Sequence, residues 1–323
     1  MKILVTGGAG YIGSACAEYL IDQGHEVVVF DSLVTGHREA VDKRAVFVKG
    51  DLNDKKSINK IVKENKFDGV MHFAAYSLVG ESMTNPGKYF SNNVGAGINL
   101  IEAVISAGIK KFVFSSTCAV YGEPEIVPIT EKEKNKPINP YGESKLMFEK
   151  TLEWYRKIHG LDYMALRYFN AAGATRQFGE DHNPETHLVP LVLKTAIGKL
   201  PSIKIFGDDY PTPDGTCIRD YIHILDLAQA HELAIRSDKT GFLNLGTGSG
   251  FSVREIINIS RKVTNCEIRT ETVARRPGDP PKLIADSSSA RNTLGWKPKF
   301  ENAEAVISSA WEWLKKNPNG YIN

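Results

Sequence analysis

The 323 residues exceed what one small core needs and predict one large or two moderate domains, with 42% hydrophobic and 24% charged residues as in ordinary globular chains. A formal net charge of +2, broken only by short basic clusters such as "RKIHG" and "VARRPGD", excludes the electrostatic footprint of a nucleic-acid or anionic-membrane binder. No stretch approaches 18 apolar residues, the N-terminal "MKILVTGG" does not resemble a secretory leader, and Cys16, Cys118, Cys217 and Cys266 form no C-x-x-C pair, so a soluble cytoplasmic chain with free thiols is expected.

In chain order, "KILVT", "EVVVF", "AVFVKG", "DGVMHF", "KKFVFSS" and "DYMALRYF" are short, β-branched or aromatic runs of strand length. Between them lie "YIGSACAEYLIDQG", "DKKSINKIVKENK", "NVGAGINLIEAVISAG" and "YGESKLMFEKTLEWYRKIHG", in which apolar residues recur every three to four positions as on an amphipathic helix. Apolar strands alternating with helices predict a doubly wound parallel α/β sheet, a Rossmann domain over residues 1–170. Beyond it, Pro- and Gly-rich stretches such as "GATRQFGEDHNPETH" and "FGDDYPTPDGTCIRD" alternate with helices near 188–198, 225–236 and 252–264. They predict a smaller, interleaved α/β substrate domain over 171–323, with "GFLNLG" at 241–246 a strand that can rejoin the main sheet.

"ILVTGGAGYIGS" places Gly7, Gly10 and Gly13 between the first strand and the first helix. A dinucleotide pyrophosphate needs close backbone approach there and free N–H groups at the helix N-terminus, which side chains would obstruct. The second strand ends in Asp31, eighteen residues after Gly13, where a carboxylate can accept both ribose hydroxyls and repel a 2′-phosphate. NAD is thereby favoured over NADP, with Arg38 as the contrary signal. Asp51 closes the third strand, beside an adenine amino group or simply in solvent.

In "NPYGESKLMFEK", Asn139 and Pro140 read as N-cap and first helical residue, which puts Tyr141 and Lys145 one turn apart on one helix face. The local pattern permits a proton-transfer pair without requiring it. With "TGGAGYIGS", "HFAA", "SSTCAVYG", "YGESK", "RYFNAAG" and "RDYIHILD" in this order, the chain resembles the extended short-chain dehydrogenase/reductase family, and within it the enzymes that invert C4 of a UDP-hexose.

That resemblance implies NAD-dependent interconversion of UDP-glucose and UDP-galactose through a 4-keto sugar, as in galactose metabolism. It assigns Tyr141 as acid/base, Lys145 as its electrostatic partner and ribose ligand, and Thr117 as proton relay. An ammonium, an oxidised nicotinamide and a helix N-terminus each favour phenolate, so Tyr141 is expected below its ordinary pKa of about 10. Cofactor contacts are implied for Gly7, Gly10, Tyr11, Ile12, Gly13, Asp31, Asp51, Leu52, Phe73, Ala74, Asn92, Lys145 and Tyr168. Substrate contacts fall on Thr117, Tyr141, Asn170, Leu188, Arg219, Arg276 and Asp279, and Leu283 stands where the family gates the sugar's 2-substituent. His187 replaces a common asparagine and Ser77 a lysine of some relatives, and both departures put a ligand in doubt.

The resemblance further implies a homodimer built on helices around 93–107 and 143–158. No metal is expected, because His72, His182, His187, His223 and His231 match no ligand spacing. Cys118-Ala119 after Thr117 argues against a 4,6-dehydratase, which wants an acidic pair there, and Asp31 against an NADPH-dependent reductase. A non-catalytic cofactor sensor would not need the intact Tyr-Lys pair.

Overall fold

A computed structural model of the chain describes residues 1–276 and 278–321. Strands β1 (Lys2–Thr6), β2 (Glu26–Asp31), β3 (Val46–Lys49), β4 (Gly69–His72), β5 (Lys111–Thr117) and β6 (Asp162–Tyr168) join the strand Gly241–Leu245 in one parallel sheet. The order is Gly241–Leu245, β6, β5, β4, β1, β2, β3. The chain therefore reverses its direction of winding between β1 and β4, and the crevice above their C-terminal ends is where such sheets take ligands.

Alternation along each strand sends apolar side chains to both faces. Ile3, Val5, Val29, Met71 and Val113 pack under Ala17 and Leu20 of the helix Tyr11–Asp22 and under Leu227, Ala230 and Ala234 of the helix Ile224–Arg236. Leu4, Val28, Val70 and Phe112 point the other way, onto Ile58, Ile61, Leu100, Val104, Phe148 and Leu152 of the helices Lys55–Glu64, Gly97–Ser106 and Pro140–His159. The doubly wound reading of the apolar runs is realised in these three layers.

The other predicted helices run Leu188–Ala196, Ile224–Arg236 and Val253–Thr264, and a further helix, Ala303–Lys316, packs on the first and third through Val189, Leu193, Ile256, Val306 and Ile307. Four short strands, Asn170–Ala172, Ile218–His223, Gly250–Ser252 and Lys282–Leu283, form a second sheet. Asp220, buried at its centre, accepts N–H bonds from Thr247 (2.9 Å), Gly248 (3.0 Å) and Ala285 (3.1 Å). It ties the turn after Gly241–Leu245 to this second sheet. Ile203–Phe206 and Thr270–Val273 pair separately. All four cysteines are free thiols, and among the described residues no helix is long and apolar enough to cross a membrane.

Candidate active site

The glycine turn between β1 and the helix Tyr11–Asp22 has two kinds of glycine. Gly7 has φ +73° and a Cβ there would meet the Ala74 N at 2.4 Å, while a Cβ on Gly13 would meet the Gly7 carbonyl oxygen at 2.2 Å. Both are needed for the chain's own packing. Gly10 is different: a Cβ would meet nothing closer than 3.4 Å, so its bareness leaves room above the loop. Gly10 is also the N-cap, with no side-chain cap bond and no acidic residue in the first turn, so the helix presents N–H groups to an anion.

Asp31 is buried at the end of β2, where its two carboxylate oxygens accept the Ala9 N–H (3.0 Å) and the Leu33 N–H (2.8 Å). Burial pushes its pKa up and those N–H bonds pull it down. The carboxylate is thus fixed beside the glycine loop with lone pairs to spare for ribose hydroxyls. Arg38, the contrary signal, lies instead over the Phe47 ring at 4.6 Å. Tyr11 donates from its hydroxyl to the Gly173 carbonyl (2.7 Å), Ile12 is half-buried against the core, and Leu52 is buried under Asn99, which donates to its carbonyl (3.0 Å). Asp51 is exposed and its oxygen is engaged by Asn53 (2.8 and 2.9 Å). Phe73 and Ala74 follow β4 into the crevice, where Phe73 packs 4.8 Å from the His231 ring. These residues fit a dinucleotide across the switch point.

On the other side of the crevice the helix Pro140–His159 starts as its residues dictate: Asn139 Oδ1 accepts the Gly142 N–H at 2.8 Å, and Pro140 occupies the first turn. Tyr141 thereby faces Thr117, the last residue of β5, and Lys145 turns inward one helical turn later. Lys145 Nζ donates to the Ser115 carbonyl (2.7 Å), lies 4.8 Å from the centre of the Phe114 ring and 6.0 Å from that of Tyr141, and is buried. Ser115 Oγ meets the Tyr168 hydroxyl, so carbonyl, lysine and Tyr168 form one chain of contacts. Asn92, in the π-helical stretch Phe90–Ala96, donates to Asn93 Oδ1 (3.1 Å), and Asn93 fastens Tyr76 and Ser144. Such π-turns concentrate at functional sites.

Two influences from the chain itself act on the Tyr141 phenol. Burial pushes Tyr141 up to about 12, and the hydrogen bond from Thr117 opposes that shift without cancelling it. Burial brings Lys145 down to about 7, with Glu149 opposing, and its ammonium is turned to Ser115. Thr117 is better placed to act on Tyr141: its Oγ accepts the Ala119 N–H (3.1 Å), which aims the hydroxyl proton away from the backbone.

Of the remaining predicted ligands, Asn170, Arg219 and Leu283 lie on the second sheet, with Asp279 beside Arg219. Asn170 donates to the Asp220 carbonyl (3.2 Å); Arg219 donates to the Ile218 (2.9 Å) and Pro280 (2.8 Å) carbonyls and lies 3.6 Å from Asp279. Leu283 pairs with Arg219 in register and packs against the cluster formed by Val120, Tyr121, Ile129, Leu146, Phe169 and Ala285. The Arg219 charge acts on Cys118, which places the guanidinium near the catalytic strand end. Arg276 stands apart, exposed, with its guanidinium over the Phe206 ring at 3.8 Å, and Leu188 opens its helix half-buried. Ser77 is exposed.

His187 is engaged elsewhere, with its Nδ1 on Glu180, in a cluster with His182 and Glu185 that the sequence reading set aside. That reading also missed the Ser115 carbonyl, which no side-chain pattern reveals. It missed Glu149, which the i, i+4 step from Lys145 could have disclosed.

Residues 3–246 match the model of the NAD dependent epimerase/dehydratase family. A UDP-glucose 4-epimerase of Lacticaseibacillus casei is 51% identical over 327 residues, spanning 99% of both chains. A crystal structure of a UDP-glucose 4-epimerase superposes with TM-score 0.98 at 49% identity over 100% of both chains. The Bifidobacterium longum UDP-glucose 4-epimerase in complex with NAD+ and UDP does so with TM-score 0.94 at 37% identity, over 99% of this chain and 100% of that one. With its glycine loop, Asp31 and Tyr-Lys helix in place across such a match, the chain belongs to the NAD dependent epimerase/dehydratase family, among its UDP-glucose 4-epimerases.

Proposed function

We propose that the protein interconverts UDP-glucose and UDP-galactose by inverting C4, in galactose metabolism, with NAD held between turnovers. The observation that carries the reading is the meeting of Tyr141 and Thr117 at the end of β5, above a glycine loop built for a dinucleotide. Gly10, the N–H groups of the helix Tyr11–Asp22, Asp31 and Lys145 would hold NAD, which supplies a hydride acceptor and then a hydride donor to C4. Tyr141 takes the proton of the 4-hydroxyl, directly or through Thr117 Oγ, as C4 is oxidised to a ketone, and returns a proton to that oxygen after the ring has turned. Arg219 suits the diphosphate, since a guanidinium fork binds phosphate oxygens in pairs, with Asn170, Leu188, Arg276 and Asp279 completing the UDP site. Holding the nucleotide end keeps the keto sugar in place while its ring is free to rotate.

The helix Pro140–His159 carries an exposed apolar stripe, Met147, Trp154 and Ile158, which supports the homodimer reading. Incubating the purified protein with UDP-galactose and no added nucleotide is expected to yield UDP-glucose. No product, or a strict demand for NADP, refutes the proposal.

Leu283 sets the finer specificity. Half-buried against the cluster that holds Val120 and Phe169, and lacking a phenol, it leaves more room beside the sugar's 2-substituent than a tyrosine would, and admitting a few heavy atoms is worth roughly 1–3 kcal/mol. UDP-N-acetylglucosamine is expected as a slower second substrate, and Leu283→Tyr should abolish that reaction while sparing UDP-glucose. Equal loss of kcat/KM for both sugars contradicts the gate.

A further inference from the structure

The loop "GEDHNPETH" (179–187) folds back on itself in front of the helix Leu188–Ala196, and there Glu180, His182, Glu185 and His187 each aim one ligand atom at a common point, all four within 4.8 Å of one another. Glu180 Oε1 lies 3.2 Å from His182 Nδ1 and also contacts His187 Nδ1. The Glu185 oxygens lie 3.8 Å from each of the two Nδ1 atoms. The carboxylates are sheltered: the side chains of Glu180 and Glu185 are 6% and 5% exposed. Glu185 Oε2, nineteen-twentieths covered and turned into the cluster, has no hydrogen-bond partner. A buried carboxylate oxygen without a hydrogen bond costs roughly 1–3 kcal/mol, and the His182 ring, 3.8 Å away, is too distant to supply one.

We infer that these four side chains form a structural divalent-metal site of zinc type. Two neutral imidazoles and two carboxylates neutralise a 2+ ion and match the donor set zinc accepts. Zinc–ligand bonds of about 2.0–2.2 Å put the corners of a tetrahedron roughly 3.3–3.6 Å apart. The separations run from the close Glu180–His187 contact through 3.2 and 3.8 Å to as much as 4.8 Å, so closing on an ion needs side-chain shifts of up to about an ångström.

The place explains the use. The His182 ring lies edge-on to Tyr11, 6.1 Å between centres, and Tyr11 is the first residue of the helix whose N-terminus faces the dinucleotide loop. The same loop reaches the C-terminal segment through Asp181, which accepts the Tyr321 N–H (2.9 Å) and whose carbonyl meets His37 Nε2 (3.1 Å). An ion at this point clamps residues 180–187 against the cofactor end of the sheet. It does so without touching Tyr141 or Thr117.

The site is tested on tag-free holoprotein, dialysed against EDTA and then given Zn2+ or Co2+ followed by gel filtration. One equivalent of zinc retained per chain, a higher Tm, slower loss of NAD and the intense visible bands of tetrahedral Co2+ are expected. Glu185→Gln keeps the shape of the side chain and should weaken zinc retention at least about tenfold, and His182→Ala with His187→Ala should abolish it. Substoichiometric zinc with an unchanged Tm would show an ion-paired His–Glu cluster only and overturn the inference. So would an unaltered stoichiometry and Co2+ spectrum in Glu185→Gln. The Co2+ spectrum of the unmutated protein decides the matter even where a variant fails to fold.

Discussion

Tyr141 is a residue whose surroundings oppose its task. Burial holds the phenol at about 12, where it is an acid too weak to lose its proton near neutrality, and only Thr117 pulls the other way. Under the proposed mechanism, positive charge brought to the crevice beside it would favour the phenolate. Tyr141→Phe is expected to lower kcat at least about a hundredfold, the usual share of a general acid/base, with UDP affinity unchanged. Turnover near the unmodified rate would remove Tyr141 from the chemistry. At this scale much of the site was legible, because Y-x-x-x-K and the glycine turn place chemistry at fixed chain spacings. The burial that opposes ionisation of Tyr141 was not, since desolvation depends on what packs around a ring and leaves no mark in a motif. Nor was E-x-H-x-x-E-x-H at 180–187, whose residues meet because an irregular loop folds back, whereas ligand motifs are recognised by helical or hairpin spacing.

The helix Pro140–His159 does three things along one face: Tyr141 meets Thr117, Lys145 reaches the Ser115 carbonyl and Glu149 receives Arg167 of β6. Glu149 Oε1 accepts from Arg167 Nε (2.9 Å) and Ser116 Oγ (2.5 Å), and Arg167 Nη1 donates to the Tyr121 hydroxyl (3.0 Å). Both ions are almost fully covered. Removing one partner strands the other charge in a dry interior, so Glu149→Ala should cost about 3–5 kcal/mol in urea unfolding, and replacing Arg167 by Met in the same chain should recover part of it. A loss under about 1 kcal/mol would mean that water reaches Arg167. The long elements were legible because periodicity accumulates over ten or more residues. The strands Asn170–Ala172, Gly250–Ser252 and Lys282–Leu283 were not, since two or three residues carry no period and are held in register by pairing with Ile218–His223.

Across the whole molecule, three buried histidines are kept neutral: His72 on Thr6 at 2.8 Å, His223 stacked on Phe300 at 3.8 Å, and His231 against Phe73. Burial lowers their pKa values from 6.5 to about 3, 4 and 4. The unfolded chain then binds more protons than the folded one between about pH 4 and 6.5, so their contribution is intact above that window and drains as pH falls through it. Each adds a slope of about 1.4 kcal/mol per pH unit, about 4 together. Urea midpoints measured from pH 7 to 4.5 should fall steeply, and a flat profile would show the imidazoles already charged in the native state. The last strand of the main sheet has a temporal consequence. Asn244, on Gly241–Leu245, accepts the Tyr121 hydroxyl (2.7 Å) and donates to the Ile129 carbonyl (2.8 Å), closing over the Arg167 side of β6. During synthesis β6 is complete some 70 residues before that strand leaves the ribosome, so for several seconds its edge has no neighbour. A bare strand edge is a template on which another chain can pair, so the wait for Gly241–Leu245 is the interval in which this sheet is open to such pairing.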